Sequence, residues 1–177
     1  MKRILLLSVI LLTFACSGDS LESIKYDVYK SVIDSNFGHL AEKYPSYIVV
    51  NDTLSDFKSD LGILIYSVQK NDKFFEECCE GDSSFKDFIL GIKGINIKKE
   101  LLKAEKIRPS SNFKVLPRSA VSQEEDHFSI YFSKIVFNKN YDKAILYVNK
   151  SSSGSLYFVE QINNKWYVKN KILMWII

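Results

Sequence analysis

The chain holds two histidines, His39 and His127, and three cysteines, none of them in a CxxC pair. It has no HExxH, no P-loop and no GxSxG elbow. Zinc sites built on CxxC spacing are excluded, and nucleotide or elbow-type hydrolase chemistry has no local motif to rest on. A pair of carboxylates brought together from distant segments would leave no such trace, so a hydrolase of that kind stays open as the weakest reading. The N-terminal apolar run, Ile4 to Ala15, is twelve residues long. A bilayer span needs about 20.

Charge of one sign is also lacking. Setting aside Lys2 and Arg3, 22 basic and 21 acidic residues leave a net +1, which predicts no nucleic-acid partner. The two halves differ, however. Residues 16–90 carry 7 basic and 14 acidic side chains, and residues 91–177 carry 15 and 7. The simplest expectation is that acidic helices dock on a basic sheet half and neutralise it.

Apolar residues make up 46% of the chain, and its 12 Phe, 10 Tyr and 2 Trp exclude a disordered protein. They concentrate from Phe128 onward, where β-branched and aromatic runs alternate with turn residues. This stretch predicts a four-stranded antiparallel meander. Its first strand, Ser129 to Asn138, slips its alternation near Ser133, as at a bulge. Ala144 to Asn149 places apolar residues on both faces and reads as a central strand. Ser155 to Ile162 follows, and Asn163-Asn164 supplies the positive φ of a tight hairpin into Lys165. The apolar end, Ile172 to Ile177, is expected to pack.

Before the meander, Leu21, Ile24, Val28 and Val32 form one stripe of a helix over Leu21 to Phe37, with Asp19 and Glu22 as a capping box. Tyr47 to Val50 is a short β run. A helix is expected within Asp56 to Lys70, another capped by Ser84, and a basic helical piece over Lys98 to Lys106. Phe113 to Leu116 is expected as an edge strand, because Pro117 cannot donate to a ladder. The fold class is α+β, with N-terminal helices packed on one face of a C-terminal antiparallel β-meander of four to five strands.

Lys2 and Arg3 before the apolar run mark residues 1–15 as a signal peptide. Leu12-Thr13-Phe14-Ala15-Cys16 resembles a bacterial lipobox with its Leu one place early. Cys16 is therefore the expected lipidation site, residues 16–20 a short tether, and 21–177 a single domain. Thr13 and Ala15 also satisfy the small-x-small rule of ordinary signal peptidase, which would give a soluble secreted chain instead.

The order of the helix, Tyr47-Ile48-Val49-Val50-Asn51-Asp52-Thr53, Lys114-Val115-Leu116, the strand Phe128 to Lys139, Lys143 to Val148, and Asn163-Asn164-Lys165-Trp166-Tyr167-Val168 resembles small uncharacterised lipoproteins of Bacteroidota-type bacteria. Ser151-Ser152-Ser153-Gly154 stands where that family carries Cys and Gly, and Asn163-Asn164 where its hairpin reads Asn-Gly. The resemblance implies a cell-envelope location and this fold, and no activity.

Three groups are candidates for chemistry. Cys78-Cys79 is a possible redox or metal pair; adjacent Cα atoms about 3.8 Å apart would make its disulfide a strained ring, and Glu76, Glu77 and Glu80 disfavour the thiolates. Glu124-Glu125-Asp126-His127 reads as a solvated loop more readily than as a base or metal site. A binding surface would combine Tyr147, Tyr157, Trp166 and Tyr167, if they share an exposed sheet face, with the basic Lys98, Lys99 and Lys103. No catalytic residue, cofactor or metal site is assigned. The expected role is non-catalytic binding by a lipid-anchored envelope protein, with the membrane and an envelope protein or glycan as partners. The alternative is an immunity-like inhibitor of one enzyme.

Overall fold

The structure, a computed structural model, describes residues 21–37, 47–55, 58–70, 76, 82–92, 100–110, 114–122, 127–150 and 152–176. Cys16, Cys78, Cys79, Lys98, Lys99, His39 and Glu124 to Asp126 lie outside the described residues.

Asn163 and Asn164 take φ of 51° and 60°, the mirror-image turn that matches strand twist, and they join the two longest strands. In chain order the strands are β1 (Tyr47–Val50), β2 (Lys114–Pro117), β3 (Ser129–Phe132), β4 (Val136–Phe137), β5 (Lys143–Lys150), β6 (Ser153–Ile162) and β7 (Lys165–Ile176). They form one sheet of order β2-β1-β3-β5-β6-β7, with β4 also on β5. From β3 to β7 all pairing is antiparallel. β1 runs parallel to both β2 and β3, so the sheet is mixed, and β2 is the expected edge strand.

The expected first meander strand is two strands. Ser133 interrupts it: its Oγ accepts the Tyr147 N–H at 2.8 Å, a place a backbone carbonyl would take in a regular ladder, and donates to the Lys134 carbonyl at 2.9 Å. The freed Ser133 carbonyl accepts the Tyr29 phenol at 3.0 Å.

Three helices, α1 (Leu21–Phe37), α2 (Lys58–Gln69) and α3 (Ser83–Leu90), divide between the two sheet faces instead of covering one. α1 buries Val28, Tyr29, Val32, Ile33 and Phe37 against the face bearing Ala144, Leu146 and Val148. Its buried stripe is rotated from the expected one, leaving Leu21 52% exposed. α2 and α3 bury Leu61, Leu64, Phe85 and Ile89 against Ile145, Leu156 and Phe158. The cause is β5 itself: with apolar side chains on both faces, each face requires a cover. Phe85 meets Phe158 edge to face at 5.5 Å and 86°, a pairing worth about 0.5–1.5 kcal/mol beyond its buried area.

Local details differ from expectation in three places. Asp82, not Ser84, caps α3, its Oδ1 accepting the Ser84 N–H at 2.9 Å. Within the expected basic helix, the described residues 100–106 run irregularly, with Leu101 bridged to Thr53, and only Ala104–Lys106 make a 3-10 turn. The apolar end packs only in part: Ile172 is buried, Met174 and Trp175 are half-buried, and Leu173 and Ile176 are 49% and 68% exposed, while Ile177 lies outside the described residues.

Candidate functional site

The expected aromatic surface is dispersed by the fold. Tyr157 and Trp166 are buried in the α1 core, and Tyr147 in the core under α2 and α3. Tyr167 alone of the four is exposed. Alternation along β7 sends it to the face opposite Trp166, so the four share no exposed aromatic face. Lys103 is exposed beside the N-terminal end of α1, where its backbone N–H donates to the Tyr26 hydroxyl at 3.3 Å. His127 Nε2 lies 3.1 Å from the Arg118 guanidinium. Among the described residues no cluster of three His, Cys, Asp or Glu side chains is placed to hold a metal ion.

What the fold does assemble is a groove of about 600 Å³ between α1 and the start of β7. One wall is α1, with Asp27, Lys30 and Asp34 a turn apart and facing the same way. The other is Asn164 to Val168. Ser110 closes one side and fixes Asp34: its N–H and Oγ each donate to the carboxylate at 2.8 Å, while Lys30 forms an ion pair with the same group. Lys30 also donates to Ser110 Oγ at 2.5 Å. Trp166 forms the aromatic part of the far wall, held edge to face against Phe137 at 6.0 Å. Its Nε1 is buried without a hydrogen-bond partner among the described residues.

A smaller hollow of about 320 Å³ adjoins the groove at Asp27 and continues toward Glu22, Lys106 and Arg108. Lys106 pairs with Glu22 and lies 5.4 Å from the Tyr26 ring centre. The ion pair holds the Glu22 carboxyl below the usual range and the Lys106 ammonium above it. Behind α1, burial disfavours an ionised Glu100, but Lys25 and Lys134 outweigh it and keep its carboxyl low. Charge neutralisation between the halves thus runs both ways: Glu22 reaches a base of the second half, and Lys25 reaches an acid of it.

Sequence reading missed the groove. The Lys30–Asp34 spacing was legible as a helical ion pair. Nothing local marked Ser110 as its third member, 76 residues away. No described helix is long and apolar enough to cross a membrane. Comparison with protein-family models, with curated proteins and with solved structures finds no match to this chain.

Proposed function

We propose that this chain is a lipid-anchored protein of the bacterial cell envelope that acts by binding, with the groove between α1 and β7 as its ligand seat. The location rests on the basic Lys2 and Arg3, the apolar run and Cys16, and on the resemblance to small envelope lipoproteins. A tether of residues 16–20 reaches at most about 17 Å, so the N-terminal end of α1 faces the membrane and the groove opens beyond it, from Asp27 onward.

The observation that carries the binding reading is the state of Asp34. Two Ser110 donors and the Lys30 ammonium use its oxygens to fix the groove wall. A carboxylate so engaged positions its surroundings. Hydroxyl, amide and ammonium groups beside the edge of one buried indole suit an oligosaccharide segment, whose hydroxyls meet the polar groups.

Two measurements test the reading separately. Cys16→Ala is expected to abolish membrane partitioning and lower the mature mass; unchanged partitioning and mass reject the anchor. Calorimetric titration with soluble envelope oligosaccharides is expected to show binding that Lys30→Ala and Lys165→Ala each weaken about tenfold. Absence of binding across the series, or indifference to both substitutions, rejects the groove.

A further inference from the structure

β7 is the longest strand and the last in the sheet, and its outer backbone edge pairs with no strand among the described residues. The opposite edge, β2, is four residues long and ends in Pro117. An unpaired edge of this length presents N–H and C=O groups to another strand; the Lys171 N–H is held by the Asn170 side chain at 2.7 Å, a contact between neighbours in the chain that an incoming strand displaces. Its side chains are of two kinds. Lys165, Lys169 and Lys171 are exposed along the first part, and Leu173 and Ile176 along the last. Nearby negative charge is scarce: Glu160 is committed to Lys143 and lies 4.0 Å from Lys169, while Lys165 and Lys171 form no ion pair among the described residues.

We propose that the outer edge of β7 docks an extended acidic segment of a partner protein, which adds as a further strand and sets its carboxylates against Lys165, Lys169 and Lys171. Two features argue against a second copy of this chain as the occupant. Antiparallel pairing of two β7 strands would bring lysine-bearing edges together, the usual device by which edge strands refuse one another. The ladder to β6 is also irregular at Gly154/Ser155 and at Phe158/Val159, which leaves Met174 and Lys169 as extra residues of β7. A rigid copy would have to match both bulges, whereas a flexible segment follows them.

The same sheet end holds a further unneutralised cation. Lys150 faces Ser153, whose other partner is Ile176, and its ammonium lies 4.8 Å from the Phe37 ring centre. Burial and the Lys171 charge hold Lys150 below the usual lysine range, with no acid opposing them. An incoming carboxylate beside Lys171 relieves both lysines at once. The end of α1 at Phe37 is the end remote from residues 16–20, so an anchored molecule presents this edge away from the membrane. The edge meets the groove at Lys165, but Lys169 and Lys171, which the test alters, lie outside the groove lining, so the test leaves the oligosaccharide reading untouched.

The experiment uses the isotopically labelled full chain and two capped eight-residue peptides, a Glu-Val repeat and a Lys-Val repeat. The Glu-Val peptide is expected to slow exchange of alternate β7 amides at least tenfold, and the Lys-Val peptide to leave them unchanged. In the double variant Lys169→Glu, Lys171→Glu the preference is expected to reverse. Equal effects of the two peptides, or protection of amides elsewhere than β7, overturn the proposal. So does a free chain that sediments as a dimer with β7 already protected. If the double variant fails to fold, the comparison of the two peptides on the unmodified chain decides the matter.

Discussion

The Tyr29 hydroxyl, on α1, donates a 3.0 Å hydrogen bond to the carbonyl of Ser133, 104 residues later, at the point where the strand breaks into β3 and β4. The break leaves that carbonyl without a ladder partner inside the core, and the phenol supplies one. Tyr29 also packs on Phe132 with ring centres 4.7 Å apart. One side chain thus fixes both the seat of α1 and the position of the bulge.

Tyr29→Phe keeps the ring and removes the donor. The Ser133 carbonyl is then buried and unsatisfied, at a cost of about 1–3 kcal/mol. Ser133→Ala strands the Tyr147 N–H instead and is expected to cost a similar amount. Denaturant midpoints measure both losses, and an unchanged midpoint in Tyr29→Phe would mean that water reaches the carbonyl.

Alkaline stability follows from the same phenol. Burial, reinforced by the Glu100 charge, raises Tyr29 well above its ordinary 10.0, and burial raises Tyr157. Each is protonated more tightly in the folded chain than in the unfolded one. Their contribution is complete below pH 10 and is lost as pH climbs beyond it. Urea midpoints at pH 9 and 11 are expected to fall less for Tyr29→Phe than for the parent, relative to each protein's own value at pH 9. Equal falls would show that this phenol is not the titrating group.

Sequence reading reached as far as local chemistry does. The bounds of α1 followed from the capping signal at Glu22 and the stop at Gly38, the Asn163-Asn164 turn from its residues, and the Ser133 break from a slip in alternation. The partner that the break requires for the Ser133 carbonyl, a tyrosine on a helix, is a tertiary fact with no local mark. Apolar residues on both faces of β5 were legible too, yet they required cover on both sides, and the helices divide accordingly. The groove was hidden for the same reason as Tyr29: Asp34 and Ser110 meet only once α1 is seated. Aromatics in strands report burial first, which is why Tyr147, Tyr157 and Trp166 are core.

Gly154 lies beneath a hydrogen bond. Trp175 Nε1 donates to the Tyr147 hydroxyl directly over its backbone, and a Cβ there would come 1.8 Å from that oxygen and 2.3 Å from the indole nitrogen. Gly154→Ala must therefore displace both rings, at about 1–3 kcal/mol or more. Tyr147→Leu removes the oxygen, so adding Gly154→Ala to it is expected to cost less than the same change in the parent. Strict additivity in a double-mutant cycle would refute the contact.

Lys150 carries a penalty in its charged state, because burial and Lys171 both disfavour its protonation in the folded chain. The rings of Phe37 and Phe128, 4.8 and 5.9 Å from its ammonium, soften the cost without cancelling it. The folded chain binds this proton less tightly than the unfolded one. Stability therefore rises as pH climbs from the lowered folded value toward the unfolded 10.5, and the penalty is fully present below that window. Lys150→Met retains the packing stem and removes the charge. At pH 7 it is expected to raise the thermal midpoint, and to remove the part of the alkaline rise that Lys150 supplies. A lower midpoint would show that ring contacts outweigh desolvation, and that the ammonium is held in place as a favourable contact in its own right.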